Sequence, residues 1–327
     1  MVINFSIIGA LILIGFVAFM YLFYVPGPQK PILSADVLSQ KITIGNKVRT
    51  YLSYVPKSLV KNTKPGLVIV LHGSGIDGSK IREWTGYEFD QMADVNGFIV
   101  LYPDGYKNNW NDSRKTASYP AKKENIDDVG FINALIKTCE STYGTDPLKT
   151  YAFGYSNGGE MAYRLAIEEP NLLSAITTIS ANLPTTDNFN DKIGDISTRI
   201  MMVNGTEDPI VPYDGGKIFL FGQDFGKVIS APATAEIFAK ASQAIKDDKS
   251  IRLAHQDEKD PGSVDRLVWL KNGQPVIELY TVTGGGHVIP QQVAKMPRFL
   301  GKITDDLDAP KEAVKFFNLI KKQPSTR

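Results

Sequence analysis

Six residues, Gly154-Tyr155-Ser156-Asn157-Gly158-Gly159, constrain this chain more than any others. They read as Gly-x-Ser-x-Gly. The run before them, Thr150-Tyr151-Ala152-Phe153, is short and β-prone. The run after them, Glu160 to Ile167, has the spacing of a helix. A strand that turns sharply into a helix through this pattern lifts a serine hydroxyl above the end of a sheet, and the glycines leave room for strand and helix to approach. The stretch therefore predicts a layered α/β fold with Ser156 as a candidate nucleophile.

A nucleophile of this kind needs a base, and histidine is scarce here. The chain of 327 residues has three: His72, His255 and His287. His72 belongs to His72-Gly73-Ser74-Gly75, which closes the apolar run Leu67 to Leu71. His255 lies in a charged stretch. His287 closes Thr283-Gly284-Gly285-Gly286-His287, after the apolar run Val276 to Val282. By elimination and position His287 is the candidate general base. The candidate orienting acid is Asp208, in the loop after the run Arg199 to Asn204, with Glu207 beside it as the competing carboxylate. Serine, acid and histidine in that chain order fit a relay built at the strand ends of one sheet. The glycine loop after Leu71 is where an oxyanion site would form. The backbone N–H of Asn157 is one expected donor and that of Ser74 the other, with Gly73 an alternative to Ser74.

Other features leave alternatives open. Trp110 stands alone in the polar stretch from Asn108 to Lys123. It could line a substrate pocket or be packed beneath the loop. Tyr155, next to the serine, is a second candidate substrate contact. The pair Asp127-Asp128 opens a helical run, and helix capping fits it better than metal binding. Trp84 to Val95, Ala233 to Ile245 and Ala309 to Lys321 read as helices, and Lys41 to Pro56 as two strands around Gly45-Asn46. Lys246 to Val264 reads as a charged, exposed stretch. The single cysteine, Cys139, falls in an apolar periodic run and excludes an intrachain disulfide.

Residues Val2 to Val25 carry no charge and are almost wholly apolar. The run exceeds the ~20 residues that cross a bilayer as a helix, so a lipid bilayer is an expected partner. No basic residue precedes it and no clear cleavage site follows, which favours an uncleaved anchor over a cleaved signal. The expected organisation is an anchor or uncleaved signal over 1–26, a tether over 27–40 and a catalytic domain over 41–327. Lys30 alone weakly favours a cytoplasmic domain. Lysine plus arginine (36) nearly balance aspartate plus glutamate (35), a net charge of +1 that does not ask for nucleic acid as a partner.

His72-Gly73, Asp127-Asp128-Val129-Gly130-Phe131, Gly154 to Gly159, Asp208-Pro209-Ile210-Val211-Pro212-Tyr213-Asp214-Gly215-Gly216 and Gly284-Gly285-Gly286-His287 occur in this order. Together they resemble the polyhydroxybutyrate depolymerase and feruloyl esterase family of α/β-hydrolases over roughly residues 42 to 321. The resemblance implies an α/β-hydrolase fold, a mostly parallel central sheet flanked by helices. It implies Ser156 as nucleophile, Asp208 as acid and His287 as base. It further implies an esterase that needs no metal or organic cofactor, with hydroxyalkanoate oligomers or feruloyl-type aryl esters as substrates, and an extracytoplasmic location, secreted if the N-terminus is cleaved. An acyltransferase with the same triad and a membrane-tethered, non-catalytic binding protein are the alternatives. Where members of the family often carry a cysteine-rich stretch after the tryptophan, this chain has Asp112-Ser113-Arg114-Lys115-Thr116. It has Val288-Ile289-Pro290-Gln291 where they often have Trp-Pro-Gly after the histidine.

Overall fold

The computed structural model describes residues 5–60, 63–220, 222–256 and 261–320, with side chains of the first helix described from Ile12 on. That helix, α1, spans Phe5–Phe23. The strands β1 (Leu38–Ile44) and β2 (Lys47–Tyr54) form a hairpin whose turn is made by Gly45 in the left-handed region and Asn46. Then follow β3 (Leu67–Leu71), α2 (Gly78–Trp84), α3 (Glu88–Asn96) and β4 (Ile99–Pro103). A short turn of helix α4 (Pro120–Lys123) interrupts the long polar loop before α5 (Asp128–Tyr143), β5 (Thr150–Tyr155) and α6 (Asn157–Glu168). The second half holds β6 (Ala175–Ile179), β7 (Arg199–Gly205), the hairpin of β8 (Gly216–Leu220) and β9 (Gln223–Val228), and α7 (Ala231–Ser242). Two-residue strands β10 (Ile245–Lys246) and β11 (Ile251–Arg252) precede β12 (Ser263–Lys271), β13 (Gln274–Thr283) and α8 (Ala309–Phe316).

One sheet runs in the order β1-β2-β4-β3-β5-β6-β7-β13-β12-β10, with β11 also paired to β12. The strands from β4 to β13 in that order are mutually parallel, while β1, β2 and β12 are antiparallel to their neighbours. The parallel strands are buried on both faces, which is why β3, β4 and β6 read as continuous apolar or β-branched runs. Alternate residues divide between two cores. Val68, Val70, Val100, Tyr102 and Phe153 face one side, with Phe89 of α3 and Val314 of α8. Leu67, Ile69, Leu71, Ile99 and Ala152 face the other, with Phe131 and Leu135 of α5, Met161 of α6 and Phe238 of α7. This is the expected α/β-hydrolase architecture.

Several expectations are corrected. The helix read over Trp84 to Val95 is two helices, because Gly86 and Tyr87 both adopt left-handed backbone between them. The charged stretch Lys246 to Val264 contains β11, and β12 begins within it at Ser263; residues 257–260 lie outside the described ones. The C-terminal helix ends at Phe316, and residue 321 lies outside the described residues. The tether is partly structured. Leu38 to Gln40 belong to β1, and Ser34 N–H donates to Asp94 Oδ2 at 2.9 Å, with Leu33, Ala35 and Val37 packed on the core.

The transmembrane helix expected over 2–25 is not what the described residues show. Among them no helix is long and apolar enough to cross a membrane. Residues 2–4, and the side chains before Ile12, lie outside the described residues. The helix ends at Phe23. Its last turns rest on the segment around Arg298 and Phe299. Phe23 packs on Phe299 with ring centroids 4.7 Å apart, and Arg298 Nη1 donates to the Tyr21 carbonyl at 2.9 Å.

Candidate functional site

The sharp turn between β5 and α6 carries Ser156 at φ 53° and ψ −122°, a strained backbone position for a residue with a Cβ. The position is held because nothing larger than glycine fits around it. A Cβ on Gly154 would overlap the carbonyl of Gly158, and a Cβ on Gly158 would overlap the carbonyls of Leu71 and His72. Ser156 N–H donates to the Ile179 carbonyl at 2.8 Å, which fastens the turn to β6.

The loops after β7 and β13 reach the same sheet end. Ser156 Oγ lies 2.9 Å from His287 Nε2, and His287 Nδ1 lies 2.7 Å from Asp208 Oδ2. The other carboxylate oxygen of Asp208 accepts the N–H groups of Ile210 and Val211, both at 2.8 Å. Asp208 must accept, so Nδ1 carries the imidazole proton and Nε2 is left to take one from the serine. Both side chains are almost entirely buried. Glu207 is exposed and its N–H donates to the Gly285 carbonyl, so Asp208 is the acid in the chain of hydrogen bonds. His287 is held from two further sides: its N–H donates to the Leu300 carbonyl at 2.6 Å, and Tyr155 Oη donates to its carbonyl at 2.8 Å.

Tyr155 is thus buried and engaged with the histidine loop, not open to a ligand. Trp110 has no exposed surface. Its Nε1–H donates to the His72 carbonyl at 2.8 Å, beneath the loop. Packing under the loop, not lining a pocket, is what its structure shows. A side chain missed by the sequence reading is Trp84, which meets the Tyr155 ring edge-on at 6.0 Å and is partly exposed. Its place at the end of an unrecognised short helix left no signal.

Opposite the serine, Gly73 approaches closely: a Cβ there would lie 2.8 Å from the Tyr155 ring and 3.3 Å from the Ser156 Cβ. Asn157 is the first residue of α6, so its N–H is among the donors that every helix start leaves unpaired. The Gly73-Ser74 loop and the Asn157 N–H therefore flank the hydroxyl. Beneath them, His72 Nε2 accepts the Gly105 N–H at 2.8 Å while Nδ1 faces the Gly73 carbonyl at 2.7 Å. Burial pushes this imidazole below its ordinary pKa, so it stays neutral and both bonds are served.

The two aspartates before α5 divide their work. Asp127 caps the helix, accepting the Gly130 N–H at 2.7 Å; Asp128 is buried and pairs with Arg49 at 2.7 Å. The third histidine, His255, pairs with Asp306 at 2.9 Å. A cavity of about 840 Å³ opens beside the loops that carry the acid and the base, lined in part by Thr206, Glu207, Gly284, Gly285 and Lys302. Ser156 and His287 are not among the residues that line it.

The Dienelactone hydrolase family matches residues 49–256, well over half of the chain. The chain belongs to that family. Among its relatives is a protein of Nocardia uniformis subsp. tsuyamanensis that carries the name of an esterase, NocK. It is 26% identical over 278 residues, covering 82% of this chain and 78% of the relative. Feruloyl esterase C of Emericella nidulans is 27% identical over 175 residues, 51% of this chain and 58% of that protein; the chain thus spans little more than half of this relative. In fold, the structure of acetyl xylan esterase from Aspergillus awamori superposes with a TM-score of 0.57 at 17% identity, covering 86% of this chain and 100% of that one. The family's members are hydrolases by name, and the resemblance to feruloyl esterases read from the motifs agrees with these relatives.

Proposed function

We propose that this protein is a serine esterase that cleaves small carboxylic esters through an acyl-enzyme. The observation that carries the reading is the continuous chain from Ser156 Oγ through His287 to Asp208, at 2.9 and 2.7 Å, on a strained strand-to-helix turn. His287 Nε2 takes the Ser156 proton as Oγ attacks the ester carbonyl. Asp208 holds the imidazole in the required tautomer and stabilises the imidazolium. The N–H of Asn157 and that of Ser74, or of its neighbour Gly73, receive the negative oxygen of the tetrahedral intermediate. His287 returns the proton to the departing alcohol, and water then repeats the sequence on the acyl group, releasing the acid and free Ser156. None of these steps calls on a metal or an organic cofactor.

The names of the relatives support short acyl and feruloyl-type esters, and the motif resemblance adds hydroxyalkanoate oligomers. A panel of acetyl, butyryl, 3-hydroxybutyryl and feruloyl esters, with the matching amides, tests this on the full chain. Turnover of at least one ester class with the amides inert is expected. Amide cleavage exceeding ester cleavage, or no turnover of any ester, would overturn the reading. If instead acyl transfer to an added alcohol outruns hydrolysis as the acceptor rises, the enzyme is a transferase with the same relay.

We propose in addition that α1 attaches the protein to a lipid bilayer, with the catalytic domain extracytoplasmic. Ile12, Leu13, Ile14, Phe16, Val17 and Phe19 are between 55% and 67% exposed. At about 100° per residue these six positions spread over roughly 220° of the helix surface. The full chain is expected to float with phosphatidylcholine vesicles and a Phe16→Asp, Val17→Asp variant to stay in solution; equal recovery of both would contradict the attachment.

A further inference from the structure

The departure at Asp112 to Thr116 turns out to be the underside of the oxyanion site. Asn157 supplies a backbone N–H to that site, yet its side chain points the other way, into a buried polar cluster. Its Oδ1 accepts the Trp110 N–H at 2.7 Å. Its Nδ2 donates to Asp112 Oδ2 at 2.6 Å, to Tyr119 Oη at 2.9 Å and to the Trp110 carbonyl at 3.3 Å. Every polar atom of that side chain is engaged, all from one loop.

The partners are themselves fixed. Arg114 Nη2 reaches Asp112 Oδ2 and Glu160 Oε2, both at 2.6 Å, and Tyr119 Oη at 2.7 Å. Tyr119 Oη also donates to Asp112 Oδ2. Lys122 Nζ holds the Asp112 carbonyl at 2.7 Å. Asp112, Arg114, Tyr119 and Glu160 are all buried, and Glu160 lies in the first turn of α6, three residues beyond Asn157. The cluster therefore grips the helix start at two points.

Burial drives the Glu160 carboxyl well above the usual carboxylate range, while its Oε2 faces the Arg114 guanidinium. Burial works on Asp112 in the same direction, but the Arg114 guanidinium outweighs it and holds that carboxyl below its ordinary value. Both carboxyl groups face the one guanidinium of Arg114. Removing one member of such a buried cluster leaves others unpaired.

We infer that Asp112, with Arg114, Tyr119 and Glu160, is a positioning group for catalysis: it locks the Asn157 side chain and so aims the Asn157 N–H at the transition-state oxygen. None of these side chains touches the substrate. The inference rests on the esterase reading above. Deleting an oxyanion donor lowers kcat by about 10² to 10³, so mis-aiming one costs less.

The test uses the full chain with Asp112→Asn, which keeps the shape but removes the charge, and Tyr119→Phe, which removes a single hydroxyl. Asp112→Asn is expected to lower kcat by about 10- to 100-fold with KM within about twofold. Tyr119→Phe is expected to lower it by about three- to tenfold, the loss of one buried hydrogen bond. The inhibition constant of a trifluoromethyl ketone analogue, which mimics the tetrahedral oxyanion, should rise in step with the fall in kcat/KM. Tyr163→Phe removes a buried hydrogen bond to Thr178 from the same helix; it should lower Tm while leaving kcat and analogue binding in place. If Asp112→Asn fails to fold, Tyr119→Phe decides by the same two measures. A loss of Tm with kcat and analogue affinity unchanged would overturn the positioning role. Ester hydrolysis that stays near the wild-type kcat in Ser156→Ala would instead overturn the esterase reading itself, so the two failures are distinguishable.

Discussion

Ser156→Ala is expected to reduce kcat on short acyl esters by a factor on the order of 10⁶, the loss seen when a serine relay is stripped of its nucleophile. In the proposed mechanism the hydroxyl is the atom that forms the acyl-enzyme, and neither His287 nor Asp208 can replace it. A residue of catalysis, roughly 10³-fold over water, should persist, because the oxyanion donors still bind the transition state. The same variant should keep its stability within about 1 kcal/mol, since Oγ meets only the ring of His287 and the helix start is held by other bonds. Steady-state kinetics together with a urea midpoint separate the two effects. Large loss of stability alongside lost activity would mean that the serine is structural.

Gly158→Ala should act in the opposite way, on fold and activity together. One added methyl would overlap the carbonyls of Leu71 and His72. Both obstacles are backbone at the end of β3, so no side chain can rotate away. Relief requires α6 to move off the sheet. Overpacking typically costs about 1–3 kcal/mol and occasionally more, and two rigid backbone obstacles put this change near 3 kcal/mol. Any shift of α6 carries Asn157 and Ser156 with it, and misplacing a reacting group by 1 Å can cost about 10²-fold in rate. A urea midpoint lowered by that amount, with kcat/KM down by about 10² or more, is the expected result. Near-native stability with full activity would show that strand and helix are not locked at this point.

These two substitutions lie within a motif visible from the sequence, and the reason is physical. A turn this strained tolerates few residue types, so it leaves its mark on the residues themselves. The same holds for the apolar runs of β3, β4 and β5, buried on both faces, and for Asp208 and His287, each at the end of such a run. Other features left no comparable mark. The strand β12 is amphipathic, with Asp265 and Arg266 within it, and beyond Val264 it carries no strand signal until its pairing with β13 is seen. The break between α2 and α3 depends on Tyr87 in a left-handed conformation that its identity does not announce. The partnership of Asp128 with Arg49 joins residues 79 apart, and that of Arg114 with Glu160 joins a loop to a helix. Nothing local pairs such residues. In sequence Trp110 admits two readings, because a lone tryptophan in a polar loop looks the same whether it faces a ligand or a carbonyl beneath it; the bond from Nε1 to the His72 carbonyl decides.

The most direct test of the relay is to treat the full chain with a serine-reactive fluorophosphonate and map the modified peptide by mass spectrometry. One phosphonyl group on Ser156, with ester hydrolysis lost in proportion and labelling suppressed in His287→Ala, is the predicted result. Ester hydrolysis that continues while Ser156 is fully modified, or a label that settles on another residue and still abolishes activity, would contradict it.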